Sequence, residues 1–337
     1  MNRQDRITKA HGSGGKLTHD LIRNLFVKYF NNEKLNSLED SAVLGEIDGK
    51  LVFTTDSHVV KPLFYPGGDI GKLSVAGTVN DLAVSGAKPL WISCGMIIEE
   101  GFEITILEKI VSSMRKTADD IGVSIVTGDT KVVEHGAADG IYINTAGVGV
   151  LPEGVNLSLD KVCPGDKVFV SGYIGDHEAA IIRAREEFNI SIDIESDCAP
   201  VCDLTSELIS KIPDLRVMRD PTRGGLVTTL NEFVWGRNFG FRIYENDIPV
   251  REVVRGLCEP LGFDPLYMAN EGKVVFIAGP DSSEKVLSIL KSHPLGKNGK
   301  MIGEVISVPE GKVLLKTQIG SERILDMLTG EMLPRIC

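Results

Sequence analysis

The stretch KLVFTTDSHVV, residues 50–60, decides the fold class of the first half of this chain. Its β-branched and apolar side chains predict a strand that carries Asp56 at its C-terminal edge. The following segment, residues 69–86, places apolar residues at helical spacing after a capping residue, Asp69, and stops at Gly86. A strand followed directly by a helix predicts an α/β unit.

The same alternation continues along the rest of the chain. Further strands are predicted at 88–98, 123–133, 140–151, 166–172, 241–245 and 272–278, with a hairpin at 303–317. Helices are predicted at 17–29, 103–121, 176–188, 203–211, 223–238, 250–258 and 282–292. The turn-rich joint Leu151-Pro152-Glu153-Gly154 therefore separates two α/β halves near residue 155.

Composition excludes several classes of function. The 337 residues suffice for two domains. A net charge of -11 argues against a nucleic-acid-binding face, and a negative protein that handles a polyphosphate needs metal ions. The chain has no apolar run of membrane-spanning length and no signal-peptide core at its start, which predicts a cytoplasmic protein.

The six cysteines are scattered at positions 94, 163, 198, 202, 258 and 337, and no disulfide framework is expected in the cytosol. Cys198 and Cys202 could form half of a zinc site, but no second pair lies nearby in sequence. Cys337 is the last residue, and a terminal thiol gains little from packing. This favours chemistry on its sulfur, the alternative being that Ile336 plugs a groove and Cys337 is incidental.

Four aspartates in short motifs are candidate metal ligands: Asp40 in EDSAV, Asp56 in TTD, Asp81 in VNDLA and Asp129 in TGDTK. Each alone also fits a helix cap or a turn. Asp81 lies inside an apolar helical run, where a buried carboxylate requires a cation or hydrogen-bond donors. Converging carboxylates suit Mg²⁺, which takes oxygen ligands and bridges phosphate oxygens.

Two glycine-containing segments are candidates for binding phosphate. HGSGGK, residues 11–16, precedes a predicted helix and offers backbone N–H groups and the helix dipole to an anion, although by itself a flexible arm explains it as well. RDPTRGG, residues 219–225, forms a loop before another helix. There Asp220 could join the metal ligands while Thr222 and Arg223 contact phosphate.

Together these motifs resemble the HypE family of hydrogenase maturation factors over essentially the whole chain. The resemblance rests on DSAVL, FTTD, VAGTVNDLAVSGAKP, GDTKVV, RDPTRGG, NEGK and the terminal PRIC. The aspartate motifs and RDPTRGG resemble the wider superfamily of aminoimidazole ribonucleotide synthetase, selenophosphate synthetase and thiamine monophosphate kinase. PRIC points to the HypE family in particular.

The resemblance implies a two-lobed PurM-like α/β fold and a homodimer whose N-terminal mixed sheets form a barrel-like interface, with ATP and Mg²⁺ in a cleft beside it. It divides the chain into a flexible glycine-rich arm and helix (1–35), an ATP-binding and dimerisation domain (36–154), a C-terminal α/β domain (155–328) and a mobile tail that carries the substrate cysteine (329–337).

The resemblance also implies the site residues. Metal ligands would be Asp40, Asp56, Asp81 and Asp129, and nucleotide-binding residues would be Gly12, Gly14, Gly15, Lys16, Asn80, Asp220, Thr222 and Arg223. Catalysis would rest on Cys337, on Lys131 as a cation near the substrate and on Glu271 as the base for a nitrogen proton. An ordinary surface ion pair is the alternative for Lys131 and for Glu271.

The implied reaction begins when the carbamoyltransferase HypF places a carbamoyl group on Cys337. ATP-dependent dehydration gives a thiocyanate, and a HypC–HypD scaffold accepts the cyanide for the iron of [NiFe] hydrogenase. Two alternatives stay open at this point. One is a selenophosphate synthetase or small-molecule kinase, although the N-terminal loop has only Gly and Ser where the synthetases carry a reactive cysteine or selenocysteine. The other is a nucleotide-gated carrier without turnover.

Overall fold

The computed structural model describes residues 6–185 and 192–327, so Cys337 and the predicted tail lie outside the described residues. The chain forms two compact units. Among the described residues, unit 1 contains 6–64, 69–82 and 87–153, and unit 2 contains 65–68, 83–86, 154–185 and 192–327.

The described part of the N-terminal half, from residue 6 onward, contains six strands: β1 Lys50–His58, β2 Phe64–Tyr65, β3 Gly68–Asp69, β4 Lys88–Glu99, β5 Ser124–Val133 and β6 Ile141–Leu151. Its helices are α1 Lys16–Leu21, α2 Lys28–Phe30, α3 Glu33–Asn36, α4 Ile70–Val84 and α5 Ile104–Asp120, with the π-helical segment Ile22–Val27 between α1 and α2. The strand, helix and strand predicted from residue 50 onward are confirmed as β1, α4 and β4.

The four long strands of unit 1 form one mixed sheet in the order β1-β6-β4-β5, in which only β4 and β5 are parallel. Asp69 caps α4 as predicted, because its Oδ1 accepts the N–H groups of Gly71 at 2.8 Å and Lys72 at 3.0 Å. Its Oδ2 accepts the hydroxyl of Ser113 in α5 at 2.6 Å. A Cβ at Gly71 would lie 2.3 Å from the Ile110 carbonyl oxygen, so only glycine lets α4 and α5 pack this closely.

The two faces of this sheet differ. Along β1 the alternate residues Val52, Thr54, Asp56 and His58 are half-buried or buried, and the residues between them are exposed. The outward face exposes several apolar side chains: Leu51 is 63% exposed, Phe53 is 68% exposed and Ile97 of β4 is 43% exposed. An exposed apolar sheet face of this kind marks a surface of interaction.

In the C-terminal half, residues 154–185 and 192–327 contain seven strands: β7 Lys167–Val170, β8 Leu215–Arg219, β9 Gly240–Tyr244, β10 Val275–Ala278, β11 Lys300–Ile306, β12 Val313–Lys316 and β13 Glu322–Ile324. Its helices are α6 Asp176–Arg185, α7 Cys202–Lys211, α8 Gly225–Val234, α9 Glu252–Leu261 and α10 Ser283–Ser292. The strands form one sheet in the order β13-β12-β9-β11-β7-β10-β8.

Helices cover both faces of this second sheet. Val168 and Ile277 face a core built with α6, α8 and α9, whereas Phe169 and Phe276 face α7 and α10 and stack with ring centroids 5.2 Å apart. Central strands buried on both faces explain the continuous apolar runs in this half. Among the described residues, no helix combines the length and the apolar character that crossing a membrane requires.

Two sequence expectations for unit 2 are wrong. The predicted hairpin at 303–317 does not form, because β9 lies between β11 and β12 and pairs with both. Strand β9 needs partners on both sides, since Phe241 and Ile243 are fully buried. The second error is an omission, because strand β8 was not predicted. The charge of Arg216 in this strand is offset by Asp166, which is distant in sequence and whose Oδ2 lies 3.1 Å from Arg216 Nε.

Candidate functional site

Two of the predicted metal ligands, Asp56 and Asp81, lie on neighbouring elements of unit 1. Thr54 Oγ1 on β1 donates to Asp81 Oδ2 on α4 at 2.8 Å, and Asp56 lies two residues further along the same face of β1. Gly77 stands one helical turn before Asp81, and a Cβ there would lie 3.1 Å from Asp56 Oδ2. Glycine at this position therefore leaves room beside the Asp56 carboxylate.

His58 lies beside the Asp56 carboxylate without neutralising its charge. Its Nε2 lies 3.6 Å from Asp56 Oδ2 and 3.1 Å from Thr145 Oγ1. Burial lowers the pKa of His58, and the nearby Asp56 charge opposes this effect only in part. Because the imidazole stays neutral at physiological pH, the charge of Asp56 is left for an external cation.

A third predicted ligand, Asp129, lies at the opposite edge of the same sheet. Asp56 pairs with Thr145, Thr145 with Cys94, and Cys94 with Gly128, the neighbour of Asp129. Three strand spacings amount to about 14 Å, which is too far for one ion to contact both carboxylates. Within residues 6–185 and 192–327, no group of three or more potential ligands is close enough to hold a metal ion.

Lys131 lies beside Asp129 and is open to solvent. Its Nζ is 3.0 Å from Asp129 Oδ2, and the two side chains are 65% and 66% exposed. The glycine segment approaches the same strand, because a Cβ at Gly12 would lie 2.7 Å from the Val132 nitrogen. Strand β5 therefore brings the glycine segment, a carboxylate and a lysine to one edge of unit 1.

The rest of the glycine segment shapes the start of the first helix. Gly14 has a φ of +79°, which favours glycine, and Gly15 is the N-cap of α1. Lys16, the first residue of α1, is exposed. The segment thus presents backbone and one cation at a helix start, as the sequence predicts for an anion site.

A cavity of about 220 Å³ opens beside Asp129. Its lining combines the apolar residues Ile22, Phe26, Phe30, Cys94 and Met96 with Glu39, Thr127, Gly128 and Thr130. Asp40 is exposed and directly follows the lining residue Glu39. Asn80, predicted to bind nucleotide, is 1% exposed within α4.

In unit 2 the RDPTRGG segment forms the loop between β8 and α8. Gly225 has a φ of +60°, and a Cβ there would lie 2.5 Å from the Met268 carbonyl oxygen. Asn270 Nδ2 donates to the Pro221 carbonyl at 2.9 Å and so holds the loop in place. Of the three predicted nucleotide-binding residues in this loop, Asp220 and Thr222 are half-buried and Arg223 is exposed.

Glu271, the predicted base, lies in the same unit and is 5% exposed. Its N–H donates to Asp197 Oδ1 at 3.1 Å, and its carbonyl accepts the Ala199 N–H at 3.2 Å. The three predicted catalytic residues are therefore distributed: Lys131 belongs to unit 1, Glu271 belongs to unit 2 and Cys337 lies outside the described residues.

Unit 2 also contains a buried polar cluster that was not predicted from the sequence; its members are Asp176, His177, Glu178, Asp197 and Lys273. Burial raises the pKa of Glu178 to about 7 and lowers the pKa of His177 to about 4. Burial alone would raise the pKa of Asp197, yet the Lys273 charge and hydrogen bonding hold that pKa below its ordinary value. The sequence feature that could have indicated this cluster is DHE directly before AAII, where three polar residues begin an otherwise apolar helix. Favourable interaction of acidic residues with the helix N-terminus would explain the same pattern.

Comparison with known proteins extends over almost the whole chain. Residues 38–151 match the N-terminal domain and residues 163–316 the C-terminal domain of the AIR synthase related protein family. The carbamoyl dehydratase HypE of Azotobacter vinelandii is 46% identical over 335 residues, which cover 99% of this chain and 98% of that relative.

Two solved structures extend the comparison. A crystal structure of the hydrogenase maturation protein HypE in complex with ATP has a TM-score of 0.93 at 45% identity, covering 98% of this chain and 99% of the other. A crystal structure of a HypE–HypF complex has a TM-score of 0.80 at 48% identity, covering 91% of this chain and 99% of the other.

These matches confirm the resemblance, the α/β fold of the PurM-like type and the enzyme class that the motifs predict. Relatives of this similarity carry the name carbamoyl dehydratase, which favours that activity over the selenophosphate synthetase, kinase and carrier alternatives. The chain therefore belongs to the carbamoyl dehydratase HypE family.

Proposed function

We propose that this chain uses ATP to dehydrate a carbamoyl group carried on its own Cys337 and thereby forms a thiocyanate. The observation that carries the proposal is the full-length match to a HypE structure in complex with ATP, at 45% identity and a TM-score of 0.93. The chain also ends in a cysteine that can carry the group.

The chemistry requires an activated oxygen. An amide oxygen is a poor leaving group, so the γ-phosphoryl group of ATP is transferred to the oxygen of the thiocarboxamide, releasing ADP. Loss of both nitrogen protons then forms the C≡N bond while the C–O bond breaks and phosphate leaves. Glu271 accepts a nitrogen proton, and Lys131 meets negative charge on the phosphate.

Two glycine-containing segments are the proposed phosphate-binding elements. Gly12, Gly14, Gly15 and Lys16 offer N–H groups and a cation, and Thr222 and Arg223 offer donors from the RDPTRGG loop. The oxygen-rich set of Asp40, Asp56, Asp81, Asp129 and Asp220 suits Mg²⁺, and Gly77 leaves space beside Asp56. When bound, Mg²⁺ would offset the negative charge of the phosphates.

A homodimer would bring these separated carboxylates together. Asp56 and Asp129 occupy opposite edges of one sheet, and the outward face of that sheet exposes the apolar side chains of Leu51 and Phe53. A second copy of the chain that covers this face would bring edges of the two sheets together. We therefore assign each metal site to Asp56 and Asp81 of one protomer and Asp129 of the partner.

Mixing two inactive variants tests this shared site. Asp56→Asn and Asp129→Asn should each abolish turnover as homodimers. Mixed dimers should regain activity, because one of their two sites then contains only wild-type carboxylates. If both carboxylates serve a site within one protomer, every site in the mixture carries a substitution and no activity returns.

The carbamoyl donor is proposed to be HypF, since the HypE–HypF complex is a structural neighbour at 48% identity. The acceptor of the cyanide is proposed to be the HypC–HypD scaffold. Intact mass spectrometry after incubation with HypF, its substrates and Mg²⁺-ATP tests the reaction. The C-terminal peptide should gain a carbamoyl group and then lose one water, and Cys337→Ala should show neither change while it still binds ATP.

A further inference from the structure

One buried carboxylate holds the segment that carries Glu271. Asp197 Oδ1 accepts the N–H of Glu271 at 3.1 Å, and Asp197 Oδ2 accepts the N–H of Gly272 at 3.2 Å. The same Oδ2 lies 3.1 Å from Lys273 Nζ. A single side chain thus contacts three consecutive residues, Glu271, Gly272 and Lys273.

The fit leaves little freedom. A Cβ at Gly272 would lie 1.9 Å from the Asp197 carbonyl oxygen, so the two segments touch along their backbones. The Ala199 N–H donates to the Glu271 carbonyl at 3.2 Å, which adds a backbone hydrogen bond between the same two segments. The Glu271 backbone is consequently bonded at both its N–H and its carbonyl.

The preceding residue is fixed as well. Asn270 is fully buried, and its Oδ1 accepts the Gly175 N–H at 2.8 Å while its Nδ2 donates to Pro221. Asn270 therefore binds neighbouring loops and holds the N-terminal side of Glu271. Asp197 holds the C-terminal side through its side-chain contacts with Gly272 and Lys273.

The charge of Asp197 is needed for this arrangement. Its side chain is 2% exposed, and the Lys273 side chain is 10% exposed. A buried carboxylate with three donors accepts stronger hydrogen bonds than a neutral amide would. An asparagine offers only one acceptor oxygen, so one of the two N–H groups would face an NH₂ group.

We propose that Asp197 is the positioning residue for Glu271: it fixes the Glu271–Lys273 backbone and so directs the Glu271 carboxylate toward the nitrogen proton of the substrate. The inference rests on the proposed role of Glu271 in the dehydration. Asp197 is not a catalytic residue, because it acts through the segment that it holds.

The test is a double-mutant cycle on full-length protein that has been carbamoylated by HypF. Asp197→Asn should lower kcat for water loss by at least about tenfold while ATP affinity, measured by calorimetry, stays within about twofold of wild type. Glu271→Gln should cause a larger loss. The double variant should be no slower than Glu271→Gln alone, because a positioning residue has no effect once the group it positions is gone.

Asp166→Asn is the matched control. Asp166 is a buried carboxylate of the same unit that pairs with Arg216 and accepts the Cys163 N–H at 2.9 Å. Its substitution should lower stability and leave kcat unchanged. Equal kcat losses in the Asp166 and Asp197 variants would mean that the loss in Asp197→Asn comes from general destabilisation, and this result would overturn the inference.

Other outcomes separate this inference from the proposed function. Failure of wild-type protein to lose water would refute the proposed function itself. A normal kcat in Asp197→Asn beside an inactive Glu271→Gln would refute only the positioning role, as would losses that multiply in the double variant. A fully active Glu271→Gln would also refute it, since Asp197 would then have nothing to position.

Should Asp197→Asn fail to fold, Lys273→Gln provides the second variant. It removes the ion pair and leaves both backbone N–H bonds to Asp197 in place. We expect a smaller loss in kcat, about threefold, that again disappears in the Glu271→Gln background. A loss that persists in that background would count against the inference.

Discussion

Two lysine–aspartate pairs, one in each unit, have almost the same length and opposite surroundings. Lys131 and Asp129 in unit 1 lie 3.0 Å apart with side chains 65% and 66% exposed. Lys273 and Asp197 in unit 2 lie 3.1 Å apart with side chains 10% and 2% exposed. Distance alone therefore does not distinguish these pairs, whereas burial does.

The difference indicates two uses of charge. Water screens the exposed pair, so its partners are held weakly and can turn to a ligand at little energetic cost. The buried pair has lost its hydration, and each partner depends on the other and on hydrogen bonds from the backbone. The Lys131–Asp129 pair thus keeps its charges accessible, whereas the Lys273–Asp197 pair uses its charges to fix a segment.

The largest stability effect is expected from Lys273→Met. This substitution leaves Asp197 buried without its cation, which should lower the free energy of unfolding by about 3 kcal/mol. Urea titration provides the measurement. Lys61→Met is the control, because Lys61 and Asp139 lie 2.9 Å apart with side chains 72% and 59% exposed. A loss as small as in that control would mean that the buried pair contributes no more than a surface pair.

Glu178→Gln is expected to change how stability depends on pH. Burial raises the pKa of Glu178 to about 7, so the folded protein binds a proton that the unfolded chain releases near pH 4.5. The stabilisation by that proton is complete below about pH 4.5 and is lost as pH rises through 7. Glutamine cannot titrate, and its oxygen can still accept the Ala269 N–H that Glu178 Oε2 accepts at 2.6 Å.

Wild type should therefore lose up to about 3 kcal/mol relative to the Gln variant between pH 5 and pH 8. Unfolding titrations at several pH values measure this difference. Glu134→Gln is the control in unit 1, because Glu134 is 70% exposed beside Lys9, and it should leave the slope unchanged. Parallel curves for wild type and Glu178→Gln would show that Glu178 titrates normally.

The sequence predicts local features of this molecule well and long-range ones poorly. The start of α4 at its Asp69 cap and its end before Gly86 follow from neighbouring residues, and both agree with the structure. The insertion of β9 between β11 and β12 depends on pairing across about 60 residues, which no local pattern encodes.

The same limit applies to the candidate site. The aspartate motifs are visible in the sequence, but their separation follows from the strand order β1-β6-β4-β5. The buried cluster escaped notice because its pairs join distant residues: Asp197 contacts Lys273, and Asp176 Oδ2 accepts Arg251 Nε at 2.9 Å. Each residue alone resembles a surface charge.

In unit 1, Asp56→Asn and Asp81→Asn should weaken Mg²⁺-ATP binding by at least about tenfold, which is about 1.4 kcal/mol. Their free energies of unfolding should stay near wild type, because removing one of several like charges relieves repulsion in the absence of a cation. Calorimetry with Mg²⁺-ATP measures the affinity, with Asp139→Asn as an exposed-carboxylate control. Unchanged affinity in both variants would remove Asp56 and Asp81 from the metal site.

The smallest change in stability is expected from Lys131→Met, and this variant sharpens the comparison most. The free energy of unfolding should change by less than about 1 kcal/mol, because the pair with Asp129 is exposed and screened. Turnover should nevertheless fall by about 100-fold, since the substitution removes a cation proposed to meet charge on the phosphate as it develops. Lys131→Arg should recover part of that loss by restoring the charge in a different geometry.

Two measurements on one preparation of Lys131→Met separate the effect on turnover from the effect on stability: single-turnover water loss from the carbamoylated chain, and unfolding in urea. A variant that loses stability as strongly as Lys273→Met would show that the exposed pair is structural, and one that turns over normally would exclude Lys131 from catalysis.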